Sequence, residues 1–232
     1  MKNIAIIPAR GGSKRIFKKN IKSFWGKPII HYSIDAALTS GLFDEVMVST
    51  DDEEIATLAL AGGAKVPFMR TARNADDFAT ITDVVTEVLQ QYKVVKQEEY
   101  DNVCCIFATA PLATPKRLEE ALNLMVEQKF ASVFPVSQFS YPIMRALKKD
   151  PETNCVSMIW PEYLTTRSQD IPPAFHDCGQ FYWANIIEFY KHKSFFTPNS
   201  GVLEFSPLEF QDIDNEEDWR MAEIKWKLKY SS

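Results

Sequence analysis

Little in this chain could staple a fold or seat it in a bilayer. Its four cysteines include no Cys-x-x-Cys pair and no zinc-ligand spacing, and Cys104 and Cys105 are adjacent. Disulfide scaffolds and zinc modules are therefore excluded, and the thiols are expected in the core of a protein from a reducing compartment. No apolar run approaches a membrane span, and Met1-Lys2-Asn3 leads straight into a strand-like segment without a signal-type apolar stretch. The expectation is a cytoplasmic protein with no membrane partner. Neither nucleotide-binding glycine signature occurs: the Walker A spacing is absent, and the Gly-x-Gly-x-x-Gly pattern is absent too. No internal repeat or low-complexity tract breaks the chain. Only three histidines occur. His31 stands at a helix start and His192 lies between two lysines, neither of which suits a general base.

The net charge of -5 and pI near 5.3 argue against nucleic acid as a partner. The cationic residues gather in the first 27 positions, and a local positive funnel in an acidic protein suits a small anion better than a polymer. At 232 residues and 26.5 kDa the chain can form one large domain, burying roughly 70% of its extended surface without a staple.

What is present begins at the N-terminus. The apolar run Ile4-Ala5-Ile6-Ile7 empties into Gly11-Gly12 and the cations Arg10, Lys14, Arg15, Lys18 and Lys19. A buried parallel strand that ends in glycines and positive charge is a plan for holding phosphate beyond the sheet edge. Glycine lets main-chain N–H groups approach a ligand, and the side chains add full charge. A solvated basic turn is the plainer alternative.

Downstream, strand-like and helix-like segments alternate. Helices are expected over 28–39, after 51, over 82–92 and from Thr114-Pro115, and strands over 45–50, 65–69, 102–107 and 131–136. Asp51, three residues before Glu54, is expected to cap the second helix. The pattern is a doubly wound α/β sheet. After residue 138 the rhythm changes: 143–147 and 156–160 read as a short hairpin, and 167–176 as an aperiodic arm with two adjacent prolines. Such an insertion, 139–178, covers a site or reaches a second subunit. The chain then returns to strands over 179–184 and 202–205, and Asn215–Glu217 opens a last helix with acidic residues at its positive end.

In Asp212-Ile213-Asp214 strand alternation turns Ile213 one way and both carboxylates the other. Such a pair suits one hard cation such as Mg²⁺, which takes carboxylates, waters and phosphate oxygens. Solvent-facing residues ahead of a helix are the equal alternative. His176, in the arm, could orient a sugar hydroxyl, accept a proton, or serve as a structural histidine.

The opening Ile-Pro-Ala-Arg-Gly-Gly-Ser-Lys-Arg-Ile with Lys19-Asn20 resembles the signature of the cytidylyltransferases that activate acidic nine-carbon 2-keto sugars (nonulosonic acids). Ser49-Thr50-Asp51-Asp52, Arg70, Thr109-Ala110-Pro111-Leu112 and Asp212-Ile213-Asp214 match further stations of that family, so the resemblance spans the whole chain. Pro172 to Trp183 resembles the pseudaminic acid members most. What the resemblance implies is a single nucleotidyltransferase domain over 1–232, with a Rossmann-like sheet of the nucleotide-diphospho-sugar transferase type and an inserted dimerisation lobe. It also implies a Mg²⁺-dependent homodimeric enzyme that joins CTP to the sugar and releases pyrophosphate, on the way to surface glycans or glycosylated flagellin. The residues carried over for nucleotide are Ala9, Arg10, Gly11, Gly12, Ser13, Lys19, Asn20, Arg70 and Thr80. Arg10, Lys14 and Lys19 would carry the catalytic positive charge, with Arg15 a lesser candidate, and Asp212 and Asp214 would hold Mg²⁺. Phe107, Thr109, His176 and Gln180 are the sugar candidates.

Three positions depart from the family pattern. Phe17 replaces the usual proline of the loop, and Phe107 and Ala113 stand where sialic acid members carry glutamine and arginine. The missing glutamine points away from sialic acid, since a site built for a hydroxyl rejects analogues strongly. The alternatives are the same reaction on sialic, legionaminic or another nonulosonic acid, and a catalytically silent nucleotide-binding protein.

Overall fold

The computed structural model describes residues 1–230 apart from 14, 76 and 77. Strand β1 (Asn3–Pro8) leads into the cationic loop, a tight hairpin of β2 (Ser23–Phe24) and β3 (Lys27–Pro28), and helix α1 (Ile30–Ser40). β4 (Glu45–Ser49) and α2 (Glu53–Ala61) follow, then α3 (Ile81–Gln91), β5 (Asn102–Ile106), α4 (Pro115–Glu127) and β6 (Ser132–Gln138). A separate hairpin of β7 (Leu147–Lys149) and β8 (Val156–Met158) precedes β9 (Phe175–Asp177), β10 (Phe181–Asn185), α5 (Ile186–His192), β11 (Ser200–Glu204) and α6 (Glu216–Tyr230).

The main sheet runs β4-β1-β5-β10-β6-β11, with β9 also on β6. β1 is parallel to both β4 and β5, and β6 to β11, while β10 opposes both its neighbours. Five strands therefore point one way, as the doubly wound reading requires. The central strands β1, β5 and β10 are buried along nearly their whole length because both faces are covered. Ala5 and Ile7 pack with Ile34 of α1, Ala59 of α2 and Leu118 of α4. Ile4 and Ile6 pack on the other face with Val85 and Val88 of α3 and Phe189 of α5. A third cluster stands apart: Ile16, Phe24 and Ile29 from the N-terminal segment with Ile213, Trp219 and Ala222 from the C-terminal one.

Several local expectations are corrected. Residues 65–69 make only a single bridge, Lys65 to Met47, because Pro67 lacks the amide a ladder needs. The cap of α2 is Asp52, whose Oδ1 accepts from the amides of Glu54 and Ile55 at 2.8 and 3.1 Å. Asp51 is thereby left to face the N-terminal loop. The first strand of the late hairpin begins at Leu147, and Ile143–Arg145 is a 3-10 turn. Cys155 is exposed on that hairpin, unlike the other three cysteines.

Candidate active site

β1, β4 and β5 end side by side, and the crevice outside the carboxyl ends of parallel strands is where such sheets bind ligands. A cavity of about 360 Å³ opens there. Arg10, Ser13, Arg15, Lys19 and Asn20 line it from the loop after β1, and Phe107, Ala108 and Thr109 from the segment after β5. Arg70, Asn74, Ala79, Ile81 and Val84 close one side, and Asp212 and Asp214 face the loop.

The loop is pinned to the strand ends before any ligand arrives. Ala9 donates its amide to the Ser49 carbonyl at 2.9 Å, and Asn20 Nδ2 donates to the Arg10 carbonyl at 2.9 Å. The Gly11 amide donates to Asp51 Oδ1 at 3.0 Å. A Cβ on Gly11 would come within 2.6 Å of Asp52 Oδ2 and 3.0 Å of its Cβ, so a larger residue there would push on the carboxylate that caps α2. Arg70, 8% exposed, is anchored by Nε on Ser49 Oγ at 3.1 Å and by its amide on the Thr50 carbonyl at 2.8 Å.

The carboxylates reach the loop through the third cluster. The expected strand over 212–214 is absent; Ile213 is instead fully buried among Ile16, Phe24 and Trp219 in irregular chain, and Asp212 and Asp214 on either side of it line the cavity. Trp25 stacks on Trp226 with ring centres 5.5 Å apart, and its Nε1 donates to the Glu223 carbonyl, which fastens the β2–β3 hairpin to α6. Asn215 Oδ1 accepts from the amides of Glu217 and Asp218, and Asp218 Oδ2 accepts from the amides of Asp214 and Asn215. This reciprocal cap locks the entry to α6.

Charge completes the arrangement. Lys19 Nζ donates to the Ile213 carbonyl at 2.6 Å and lies 3.9 Å from Asp214 Oδ1, and Arg15 Nη1 lies 3.0 Å from Asp214 Oδ2. Asp212 has its carboxyl pKa raised, first by the protein volume crowding it and then by the Asp214 charge. Burial chiefly lowers the pKa of Lys19, against the pull of both carboxylates. Among the described residues no three His, Cys, Asp or Glu side chains gather as a metal cage. A cation here would take Asp212 and Asp214 and complete its shell from non-protein oxygens. The arrangement can hold a polyphosphate between fixed cations and a carboxylate pair.

The structure brings Arg10, Ser13, Lys19, Asn20, Arg70, Phe107, Thr109, Asp212 and Asp214 to this one cavity. Ala9 is buried behind it, and Gly11 and Gly12 shape the loop without lining the cavity. Thr80 does not line it: its Oγ1 accepts from the Asp83 amide and caps α3. His176 is likewise elsewhere, between the rings of Phe139 and Phe210 at 4.9 and 5.6 Å. Gln180, expected against sugar, is fully buried and donates to main-chain carbonyls. Lys14 lies outside the described residues. Sequence reasoning missed Asn74, Ala79, Ile81, Val84 and Ala108. Asn74 is placed by Nδ2 donating to Glu87 Oε2 at 2.6 Å, a contact with α3 that no pattern within residues 70–79 announces.

A cationic loop facing two carboxylates across the carboxyl edge of a doubly wound sheet defines the nucleotidyltransferase class. The sequence profile described as Cytidylyltransferase matches residues 4–220. The chain belongs to the cytidylyltransferase family. It is 43% identical over 235 aligned residues to the pseudaminic acid cytidylyltransferase of Campylobacter jejuni subsp. jejuni, covering 100% of this chain and 99% of that one. It is 32% identical to the CMP-N,N'-diacetyllegionaminic acid synthase of Legionella pneumophila, covering 98% and 97%. A solved structure of a CMP:2-keto-3-deoxy-manno-octonic acid synthetase complexed with CTP superposes with a TM-score of 0.70 at 19% identity, covering 99% of this chain and 100% of that one. No helix among the described residues is long and apolar enough to cross a membrane.

Proposed function

We propose that the protein transfers the cytidylyl group of CTP to the anomeric 2-hydroxyl of pseudaminic acid, giving CMP-pseudaminic acid and pyrophosphate. One observation carries this reading: Arg10, Arg15 and Lys19 share a single cavity with Asp212 and Asp214. The 43% identity to a pseudaminic acid cytidylyltransferase supports the choice of sugar. The sugar hydroxyl gives up its proton to solvent and its oxygen bonds to the α-phosphorus as the bond from that phosphorus to the bridging oxygen breaks, the electron pair leaving with pyrophosphate. The chain supplies positioning and charge, the main contributions in phosphoryl-type transfer. Arg10 and Lys19 hold phosphate oxygens, Arg70 fixes the nucleotide from the floor of the cavity, and Phe107 and Thr109 border the sugar.

The donor set fits Mg²⁺. Two hard carboxylates are the few protein ligands this ion takes beside substrate phosphates, and Asp212 and Asp214 face the phosphate-binding loop across one cavity. When bound at Asp212 and Asp214, the ion would offset negative charge on the phosphoryl oxygens. The enzyme is further proposed to work in the cytoplasm, feeding surface glycan synthesis or flagellin glycosylation. It is also proposed to act as a homodimer paired through the 139–178 insertion, whose Tyr141, Leu147, Val156 and Leu164 are exposed. Light scattering on the purified protein tests the dimer.

The competing reading is the same transfer to sialic or legionaminic acid, favoured by relatives of those names and opposed by Phe107 in the cavity wall. Purified protein with CTP, Mg²⁺ and each sugar, followed by pyrophosphate release, separates the two. Turnover of sialic acid without turnover of pseudaminic acid overturns the choice of sugar. CTP binding with no turnover of any acidic sugar would leave a silent nucleotide-binding protein.

A further inference from the structure

β9 and β10 both pair antiparallel with β6, yet they are not one continuous strand. Val136 pairs with Asp177 while Val133 pairs with Trp183, so the register against β6 slips by three residues and the chain bulges around Gly179, with the Cys178 amide still donating to the Pro135 carbonyl at 3.2 Å. Excursions of this kind beside active sites re-aim side chains. Gly179 has a φ of +59°, and a Cβ built on it would lie 3.2 Å from Asp212 Cγ and 3.4 Å from both carboxylate oxygens. Asp177 fixes the turn from behind: its Oδ1 accepts from the Gly179 amide at 3.0 Å and its Oδ2 accepts from the Tyr182 hydroxyl.

Gln180 sits beneath this seat, fully buried, with Nε2 donating to the carbonyls of Cys178, Gly179 and Gln211 at 3.1, 3.1 and 3.3 Å. Its Oε1 is the single buried side-chain polar atom without a partner among the described residues. Flipping the amide would aim that oxygen at three carbonyls, so the orientation is fixed by its partners. A stranded acceptor is costly. What the amide does in return is join the excursion to the residue that precedes Asp212. Its main chain reaches the opposite wall as well, the Gln180 carbonyl accepting from the Phe107 amide at 2.9 Å.

We infer that Gly179 and Gln180 are positioning residues: the excursion is the seat that sets Asp212 in register with Asp214 and with the wall at Phe107. Gly179 does so by leaving the space into which Asp212 settles, and Gln180 by tying down the segment that carries it. This rests on the proposed cation-binding role of Asp212. Octahedral Mg²⁺ is exacting about oxygen placement, so a displacement of a few tenths of an ångström matters more to the ion than to the fold.

The test is Mn²⁺ binding to the enzyme with CTP and no sugar, followed by electron paramagnetic resonance, in Gly179→Ala, Gly179→Asn, Gln180→Ala and Asp212→Asn, with thermal melts alongside. Asparagine tolerates positive φ and alanine does not, so backbone strain alone would spare Gly179→Asn. Loss of the space beside Asp212 affects both. The expected result is Mn²⁺ held about tenfold more weakly by both Gly179 variants and by Gln180→Ala, while melting separates Ala from Asn at 179. Wild-type Mn²⁺ affinity in folded Gly179→Asn and Gln180→Ala overturns the inference while leaving the cation site intact. Wild-type affinity in Asp212→Asn instead overturns the cation reading itself.

Discussion

Ile213→Ala tests how the two ends of the chain are brought together. The side chain is fully buried among Ile16, Phe24, Ile29, Trp219 and Ala222, and the substitution deletes its three outer carbons. At about 0.8 kcal/mol per buried methylene the transfer loss alone is about 2.4 kcal/mol. The unfilled cavity brings the cost to about 3 kcal/mol, inside the usual range for such truncations. For a chain of this size that lowers the melting temperature by roughly 6–12 °C. Ile213→Val, which removes one carbon, should cost about 1 kcal/mol. Urea unfolding monitored by tryptophan fluorescence reads both values. Pyrophosphate release, measured where both variants remain folded, should fall much further for alanine than for valine, because Asp212 and Asp214 flank this anchor. An alanine variant within about 1 kcal/mol of wild type, or one destabilised yet fully active, would show that the third cluster does not place the carboxylates.

Asp214→Asn removes the carboxylate nearest Arg15 and Lys19, and turnover should drop on the order of 100-fold or more in the pyrophosphate assay with melting nearly unchanged. Asp212→Asn should act on stability in the opposite sense to activity. Asp212 holds its proton more tightly in the folded state, so the folded state binds more protons in the window just above the ordinary carboxyl pKa. Stability therefore declines as pH rises through that window, and the cost persists at neutral pH. Without divalent cation the asparagine variant should melt higher than wild type at pH 7, the gap closing below about pH 4, while turnover is lost. Differential scanning calorimetry across pH checks the sign, and a variant that melts lower at pH 7 refutes it. Phe107→Gln should raise the ratio of kcat/KM for sialic acid over pseudaminic acid, since it places an amide where the cavity wall is now aromatic.

Much of this arrangement was legible because it is local. The uninterrupted apolar runs at 4–7 and 103–106 reported strands covered on both faces, since a parallel sheet with helices on either side hides every residue of its central strands. The cationic loop and the carboxylate pair around Ile213 were likewise visible as short patterns of charge and alternation. The failures were also local in cause: a proline at 67 that blocks a ladder, and a capping carboxylate one residue later than expected.

The tertiary structure alone decided which distant groups meet. Lys19 reaches the Ile213 carbonyl across 194 residues because aromatic and aliphatic side chains from both ends bury one another, and pattern within either end carries no record of that partnership. Gln180 was a sugar candidate by family resemblance. Burial turned it inward onto main-chain carbonyls, because a polar group removed from water takes whatever partners the surrounding fold provides.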